Sequence, residues 1–250
     1  MTKTTPLMPY AELAALYADA AYEDPATFQR MVGVEDGEDD CIFIDYKEDP
    51  LDVQAYIHTC HRKKLVIVAV RGTEPTKWED WLHNLRFRGV HGPNPGLGKV
   101  HGGFLAEAKV LAKPVCAAAY KSPGYTLLLT GHSKGGSLCT VLQHVWSLKA
   151  VCHTFGECRS LSKKAAGLYR HSHRDHTRWV NTVDAVPKLL WWRYRHIGRL
   201  VYLDRHGDWN YGYRKFWDRV LTRLRNPLGG ITRHSMTGYR EHITAKGKGN

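Results

Sequence analysis

The sequence has no long hydrophobic run. Its longest purely aliphatic stretch, Leu65–Val70, has six residues, whereas a membrane-spanning helix needs about 20, so we exclude an integral membrane protein. Residues 1–22 contain no basic region followed by an apolar stretch, which argues against a secretory signal. None of the six cysteines forms a C-x-x-C pair, which disfavours a zinc ribbon or a disulfide scaffold. We therefore expect a cytoplasmic protein with reduced, buried thiols.

Internal repeats and low-complexity linkers are also missing, so nothing divides the chain. Its 250 residues are 43% hydrophobic and 24% charged, as in an ordinary globular protein. We expect a single domain over residues 1–250, large enough to bury a core without disulfides.

Positive charge is in excess but unevenly distributed. The formal net charge is +12, yet residues 1–60 carry 3 basic and 13 acidic residues, and residues 159–225 carry 16 basic and 5 acidic residues. Either the two ends neutralise each other, or one basic face meets an anionic partner.

Buried strands alternate with helices along the chain. Leu65–Val70 is a continuous aliphatic run, typical of a strand buried on both faces of a sheet. Apolar runs predict further strands at 125–130, 150–155 and 178–183, a hairpin at 41–46 and 53–59, and helices at 9–21, 107–121 and 134–148. This alternation predicts an α/β fold with a mainly parallel central sheet flanked by helices.

A G-x-S-x-G pattern lies between a predicted strand and a predicted helix. Residues 131–136 read G-H-S-K-G-G. A tight strand-to-helix turn strains the serine and leaves no room for side chains beside it, so glycines flank it. The helix N-terminus behind Ser133 favours developing negative charge. Ser133 is therefore the candidate nucleophile.

A nucleophilic serine needs a base and an orienting acid, which follow it in the chain order acid, then histidine. Asp184 comes directly after a predicted strand and is the first choice for the acid, with Asp204 as the second. His234 lies in a loop before the last predicted helix and is the first choice for the base. His242, inside that helix, is the weaker candidate.

Seven segments together resemble the class 3 lipases, the fungal triacylglycerol-lipase type of α/β-hydrolase. They are V-R-G-T at 70–73, D-W-L at 80–82, V-H-G-G-F at 100–104, G-H-S-K-G-G at 131–136, N-T-V-D-A-V-P at 181–187, Y-R-H-I-G at 194–198, and His234 with Tyr239. The resemblance implies an α/β-hydrolase fold and a lipase that cleaves acyl esters of lipids through an acyl-enzyme, without cofactor or metal.

The resemblance also implies residue roles. Ser133 would be the nucleophile, His234 the general base and Asp184 the orienting acid. The oxyanion hole would consist of the backbone amide and hydroxyl of Thr73 and the backbone amide of Lys134.

Two positions depart from the family pattern. Lys134 replaces a small apolar residue or leucine, and a cation beside the acyl pocket would favour anionic substrates. The segment 155–158 reads F-G-E-C instead of F-G-x-P, which predicts a different local loop.

Two amphipathic segments have alternative interpretations. In residues 74–87, the family places a lid, and Trp78, Trp81, Leu82 and Leu85 share one helical face. That face either covers the serine as a mobile lid or packs permanently on the sheet. Residues 213–225 form a basic amphipathic helix that either contacts an anionic membrane or micelle or belongs to the core.

Other functions remain open at this stage. A phospholipase A1-like activity on anionic phospholipid, or a short-ester hydrolase, fits the same residues. A non-catalytic lipid- or nucleic-acid-binding protein on a hydrolase scaffold is the alternative from another class. A nucleic-acid-binding protein of this kind would use the segment W-W-R-Y-R at 191–195, where aromatic residues alternate with arginines. The intact Ser133, Asp184 and His234 argue against it, and no nucleic acid is expected as a partner. The histidine-rich segment 171–176 is disfavoured as a metal site because arginines surround it.

Overall fold

An eight-stranded sheet forms the centre of the computed structural model, which describes residues 10–73, 88–172, 175–181, 184–203, 209–211 and 234–247. The strands of these residues are β1 (Asp40–Glu48), β2 (Leu51–Cys60), β3 (Leu65–Val70), β4 (Gly89–His91), β5 (Lys99–His101), β6 (Thr126–His132), β7 (Val151–Phe155), β8 (His176–Asn181), β9 (Arg199–Leu203) and β10 (Trp209–Tyr211). The sheet order is β1-β2-β3-β6-β7-β8-β9-β10, and β4 pairs with β5 separately.

The middle of the sheet is parallel. Strands β3, β6, β7, β8 and β9 run in one direction, while β1, β2 and β10 pair antiparallel at the two sides. The predicted hairpin is confirmed as β1 and β2, which extend further at both ends than their apolar residues indicate. The α/β class with a mainly parallel sheet is confirmed.

Helices cover both faces of the sheet. They are α1 (Ala11–Ala20), α2 (Pro25–Val32), α3 (Gly102–Lys121), α4 (Lys134–Val145), α5 (Lys163–Ser172) and α6 (Met236–Gly247). One core contains apolar residues of α3, α4 and α5, and the other contains those of α1, α2 and α6. Successive residues of β3 alternate between the two cores, which is why its sequence is continuously aliphatic.

Strand β8 begins two residues earlier than predicted. Its pairing with β7 fixes the register, with His176 opposite Cys152. The buried ring of His176 is hydrogen-bonded to Thr154 Oγ1 at 3.1 Å and to the Tyr169 hydroxyl at 2.7 Å. The hydropathy pattern does not predict a strand that begins at His176, because a histidine is polar. The histidine can be buried there because Thr154 and Tyr169, from other elements, hydrogen-bond its ring.

Several predictions fall outside the described residues. They are the lid-like segment 74–87, the basic segment 213–225 and the second-choice acid Asp204. Among the residues that the structure does describe, no helix is both long and apolar enough to cross a membrane.

Candidate active site

The site lies at the carboxyl edge of the parallel strands. Because β3, β6, β7 and β8 are parallel, their last residues reach the same edge of the sheet. Residues 71–73 follow β3, Ser133 follows β6, Gly156 follows β7 and Asp184 follows β8. Ligand and catalytic sites of open parallel sheets lie at this edge.

Ser133 occupies a strained turn between β6 and α4. Its φ of 56° and ψ of −123° are unusual for a residue with a side chain, and its amide donates to the Phe155 carbonyl at 2.8 Å. A Cβ on Gly131 would lie 2.6 Å from the Gly135 carbonyl carbon and 2.8 Å from the Val70 oxygen. The flanking glycines therefore allow β3, β6 and α4 to approach closely enough to form the turn.

The Ser133 hydroxyl is not used for structure. Its Oγ is buried and makes no hydrogen bond with the described residues, and it does not cap α4 although Ser133 is the N-cap residue. N-cap serines usually accept a hydrogen bond from the first turn of the helix. The turn holds this hydroxyl away from that role and next to the helix N-terminus.

Asp184 is buried and fully engaged as an acceptor. Its Oδ2 accepts from His234 Nδ1 at 2.7 Å and from the Tyr239 hydroxyl at 2.6 Å, and its Oδ1 accepts from the Val186 amide at 2.9 Å. Burial, and next the Asp184 carboxylate, raise the pKa of Tyr239 well above its ordinary value, so the hydroxyl stays protonated and donates. The Asp184 hydrogen bond leaves Nε2 as the nitrogen of His234 that can accept a proton.

His234 is packed between a ring and a glycine. The His132 ring lies 4.3 Å from the His234 ring, centroid to centroid, and is hydrogen-bonded to the Tyr22 hydroxyl at 2.8 Å. Burial, and next the nearby His234, lower the pKa of His132 well below its ordinary value, so His132 adds no charge beside the base. On the other side, a Cβ on Gly156 would lie 2.8 Å from His234 Cε1.

The predicted oxyanion residues lie at the same edge. Gly72 passes so close to the serine that its added Cβ would be 3.3 Å from Ser133 Cβ, and Thr73 follows it. The Thr73 hydroxyl is buried and has no hydrogen-bond partner among the described residues. Lys134 contributes the first amide of α4, and the first amides of a helix have no acceptor inside it.

The side chain of Lys134 does not offer a free cation to a substrate. Its Nζ donates to the Asp52 carbonyl at 2.5 Å and to Glu107 at 3.3 Å. The side chains of Lys134 and Glu107 are only 8% and 12% exposed. Burial raises the pKa of Glu107, while Lys134 lowers it. Lys134 therefore gives no reason to expect a preference for anionic substrates, because Glu107 neutralises its charge inside the protein.

The loop after β7 is joined to α4 by polar contacts that the sequence did not reveal. Glu157 Oε2 accepts from Thr140 Oγ1 at 2.8 Å, and the Cys158 amide donates to Ser137 Oγ at 3.1 Å. Burial raises the pKa of Glu157 to about 7, although Arg178 opposes the shift. Glu157, which lies in the segment that departs from the F-G-x-P pattern, thus places a buried carboxyl group behind the elbow.

One group of described residues has the donor atoms of a metal site. Asp39, His58 and Cys60 place their donor atoms within 4.8 Å of one another. They lie at the amino edge of β3, opposite Ser133, since Cys60 pairs with Leu65. Both ring nitrogens of His58 already have partners, Tyr17 at 2.6 Å and Asp39 at 3.0 Å. This hydrogen-bond network accounts for the cluster by connecting α1 to β2.

Comparison with known families identifies the family of the chain. The sequence profile of the family described as lipase (class 3) matches residues 67–193, just over half of the chain. The chain belongs to the class 3 lipase family. The resemblance inferred from the sequence segments is confirmed.

Relatives of this class 3 lipase include characterised fungal proteins. The secreted mono- and diacylglycerol lipase 1 of Fusarium solani is 28% identical over 170 residues, which are 61% of this chain and 48% of that protein. The match thus spans about half the length of this curated relative. Two solved triacylglycerol lipase structures share the fold, and this confirms the predicted α/β-hydrolase fold.

The Rhizomucor miehei triacylglyceride lipase has a TM-score of 0.68 at 19% identity and covers 89% of this chain and 91% of its own. A triacylglycerol lipase whose catalytic centre is described as a serine protease triad has a TM-score of 0.62 at 21% identity, over 77% of this chain and 78% of its own.

The expected cytoplasmic location is wrong. The relative from Fusarium solani is named a secreted lipase, and this contradicts the expectation of a cytoplasmic protein. The expectation relied in part on the cysteines, and all six are free. Burial raises the pKa of the Cys152 and Cys158 thiols well above the ordinary value. A buried thiol that does not ionise is unreactive in any compartment, so cysteine usage does not report the location.

Proposed function

We propose that this class 3 lipase is a serine-dependent carboxylic ester hydrolase that cleaves acyl esters of lipids. The observation that carries the proposal is the 2.7 Å hydrogen bond from His234 to Asp184. It lies at the sheet edge where the elbow holds a Ser133 hydroxyl that has no hydrogen-bond partner within the described part of the chain. A serine at a helix N-terminus, together with an imidazole hydrogen-bonded to a buried carboxylate at the same sheet edge, supplies the parts of an acyl-transfer site.

In the first half-reaction, Ser133 Oγ attacks the ester carbonyl carbon while its proton passes to His234 Nε2. Asp184 holds the tautomer with the proton on Nδ1 and stabilises the imidazolium that forms. The negative charge on the carbonyl oxygen is stabilised by the amides of Thr73 and Lys134 and by the Thr73 hydroxyl. The C–O bond to the alcohol then breaks, and His234 returns the proton to the leaving oxygen.

The second half-reaction releases the acid. A water molecule attacks the acyl-serine carbonyl carbon, and His234 takes the proton from this water. The bond to Ser133 Oγ breaks, the serine recovers its proton from His234, and a free fatty acid leaves. No cofactor enters this sequence of steps.

We propose acylglycerols as the substrate class. The Fusarium solani relative is a mono- and diacylglycerol lipase by name. The neutralised Lys134 side chain removes the residue-level reason to expect a preference for anionic phospholipid. A higher kcat/KM on an anionic phospholipid than on a diacylglycerol of the same acyl chains would contradict this choice.

A fluorophosphonate probe tests the mechanism because it labels only activated serines. We expect labelling of the wild type and none of Ser133→Ala or His234→Ala, with hydrolysis of p-nitrophenyl butyrate reduced about 10⁴-fold or more. Ser137→Ala is the matched control, since it removes a buried hydroxyl one turn along α4 and should still be labelled. Labelling that survives in Ser133→Ala, or a wild type that is never labelled even with micelles present, would contradict the mechanism and favour a non-catalytic lipid- or nucleic-acid-binding protein.

The lid hypothesis for residues 74–87 stays a prediction. If Trp78, Trp81, Leu82 and Leu85 form the inner face of a lid, detergent micelles should change the rate at which a protease cleaves within this segment. An identical cleavage rate with and without micelles contradicts a mobile lid.

A further inference from the structure

Two neighbouring tryptophans are exposed at the surface. Trp191 is 67% exposed and Trp192 is 57% exposed, and their rings meet edge to face at 6.3 Å between centroids. Tryptophan is on average a highly buried residue. Two exposed indoles side by side therefore form an apolar patch that calls for an explanation.

The loop that carries these indoles is firmly anchored. Leu190 before them and Tyr194 after them are buried against each other, and the Tyr194 amide donates to the Leu190 carbonyl at 2.9 Å. The Arg195 guanidinium donates to the carbonyls of Trp191 and Tyr194, both at 3.0 Å. Leu190 adopts a φ of 60°, which is strained for a residue with a side chain. The fold thus holds the two indoles outward with buried anchors and local strain.

The loop that carries the patch begins beside the candidate active site. The turn Val186–Lys188 connects Asp184 to the loop, and the Val186 amide is hydrogen-bonded to the Asp184 carboxylate. The loop therefore emerges from the carboxyl end of β8, which is the same edge of the sheet as Ser133. Tyr120 lies in the last turn of α3, shortly before β6 begins, and therefore at the opposite edge of the sheet. At 88%, it is the most exposed large aromatic side chain among the described residues.

The charged residues of this loop all have the same sign. Lys188, Arg193 and Arg195 have exposed side chains, and residues 185–203 contain no acidic residue. Indole rings prefer the boundary between hydrocarbon and water, where the ring is apolar and the N–H is polar. Basic residues beside them are attracted to anionic lipid headgroups.

We propose that Trp191 and Trp192, with Lys188 and Arg193, form a docking surface for an anionic lipid–water interface. This inference rests on the proposed function, since the docked loop begins beside Asp184, at the sheet edge that carries Ser133. The indoles insert among the headgroups, and the two cations supply the preference for negative charge. Attachment through this fixed loop requires no movement of the protein.

Vesicle co-sedimentation tests the proposal independently of catalysis. The protein carries Ser133→Ala so that no lipid is consumed, and the vesicles are phosphatidylcholine alone or with 30% phosphatidylglycerol. We expect Trp191→Ala/Trp192→Ala to weaken binding to the anionic vesicles at least tenfold, and Lys188→Ala or Arg193→Ala to weaken it about fivefold each. Tyr120→Ala, which removes an exposed aromatic from the other edge, should bind like the parent, and 0.5 M salt should weaken binding.

A second measurement distinguishes docking from a role in the acyl pocket. In the active enzyme, the double tryptophan variant should lower the ratio of vesicle hydrolysis to p-nitrophenyl butyrate hydrolysis at least tenfold. Equal losses on both substrates would overturn docking and place the indoles in the acyl pocket. Parent-like vesicle binding by the double variant, no preference for anionic vesicles, or tighter binding to single-stranded oligonucleotide than to vesicles would also overturn it. If only the hydrolase proposal is wrong, the protein should bind vesicles as expected but hydrolyse neither substrate.

Discussion

Gly156 gives the sharpest test of how the backbone positions the acid and the base. A methyl group added there would lie 2.7 Å from Asp184 Oδ2, 2.8 Å from His234 Cε1 and 3.0 Å from His234 Nδ1. Carbon atoms in proteins prefer separations of about 3.5–4.0 Å. Gly156→Ala therefore cannot be accommodated unless the Asp184–His234 pair moves.

The expected loss follows from this displacement. The φ of Gly156 is 58°, so alanine also incurs the left-handed penalty of about 1–2 kcal/mol. A misplacement of catalytic groups on the ångström scale can cost about 10²-fold in rate. We expect Gly156→Ala to lower kcat/KM on p-nitrophenyl butyrate by about 100-fold or more, and to lower Tm by more than the backbone penalty explains.

Gly33→Ala separates the steric effect from the backbone effect. Gly33 has a φ of 69° at the end of α2, and nothing lies within 4 Å of its added Cβ. It should lose about 2–8 °C in Tm and keep wild-type kcat/KM. If Gly156→Ala loses no more activity than Gly33→Ala, the proposed contact between Gly156 and the catalytic pair is refuted.

Three further substitutions test other contacts. Tyr239→Phe removes a charge-assisted hydrogen bond to Asp184, so kcat/KM should fall about 10- to 100-fold. Lys134→Met leaves Glu107 buried without its cation, so the free energy of unfolding should fall by about 3–5 kcal/mol. Because burial raises the pKa of Glu157 to about 7 from its ordinary 4.5, the unfolded state loses this proton first. The free energy of unfolding should therefore fall by roughly 3 kcal/mol from pH 4.5 to 7 in the wild type, and not in Glu157→Gln.

Each of these three predictions has a control variant or a control measurement. Tyr169→Phe also removes a buried, hydrogen-bonded hydroxyl and should lose stability without loss of kcat/KM. Lys134→Met combined with Glu107→Gln should recover most of the stability, and no recovery would contradict the ion-pair argument. For Glu157, denaturant titrations measure the free energy of unfolding across the pH range. If this free energy depends on pH in the same way in the wild type and in Glu157→Gln, another group is responsible for the change.

Local pattern was enough to find the elbow. The G-H-S-K-G-G segment follows an apolar strand and opens a helix, and each requirement of the turn involves residues adjacent in the chain. Asp184 was found because parallel strands deliver the residues that follow them to a common edge. The hydropathy pattern misplaced the start of β8, since pairing with β7 and buried partners set its register.

The contacts that hold the proposed acid and base in place join residues distant in sequence, and no local pattern predicts these contacts. Tyr239 lies 55 residues after Asp184, and the Tyr22 hydroxyl holds the His132 ring from 110 residues away. Likewise, the fate of the Lys134 charge depends on Glu107 and Asp52, which other elements bring to it.

Chain order and spacing determined the fold class, the family and the candidate catalytic serine, acid and histidine, because these depend on local turns and strand ends. Tertiary structure alone decided that Lys134 is neutralised, that Gly156 packs against His234, and that Trp191 and Trp192 face outward. The physical reason is that burial and charge pairing depend on which surfaces the fold brings together, and hydropathy along the chain does not contain that information.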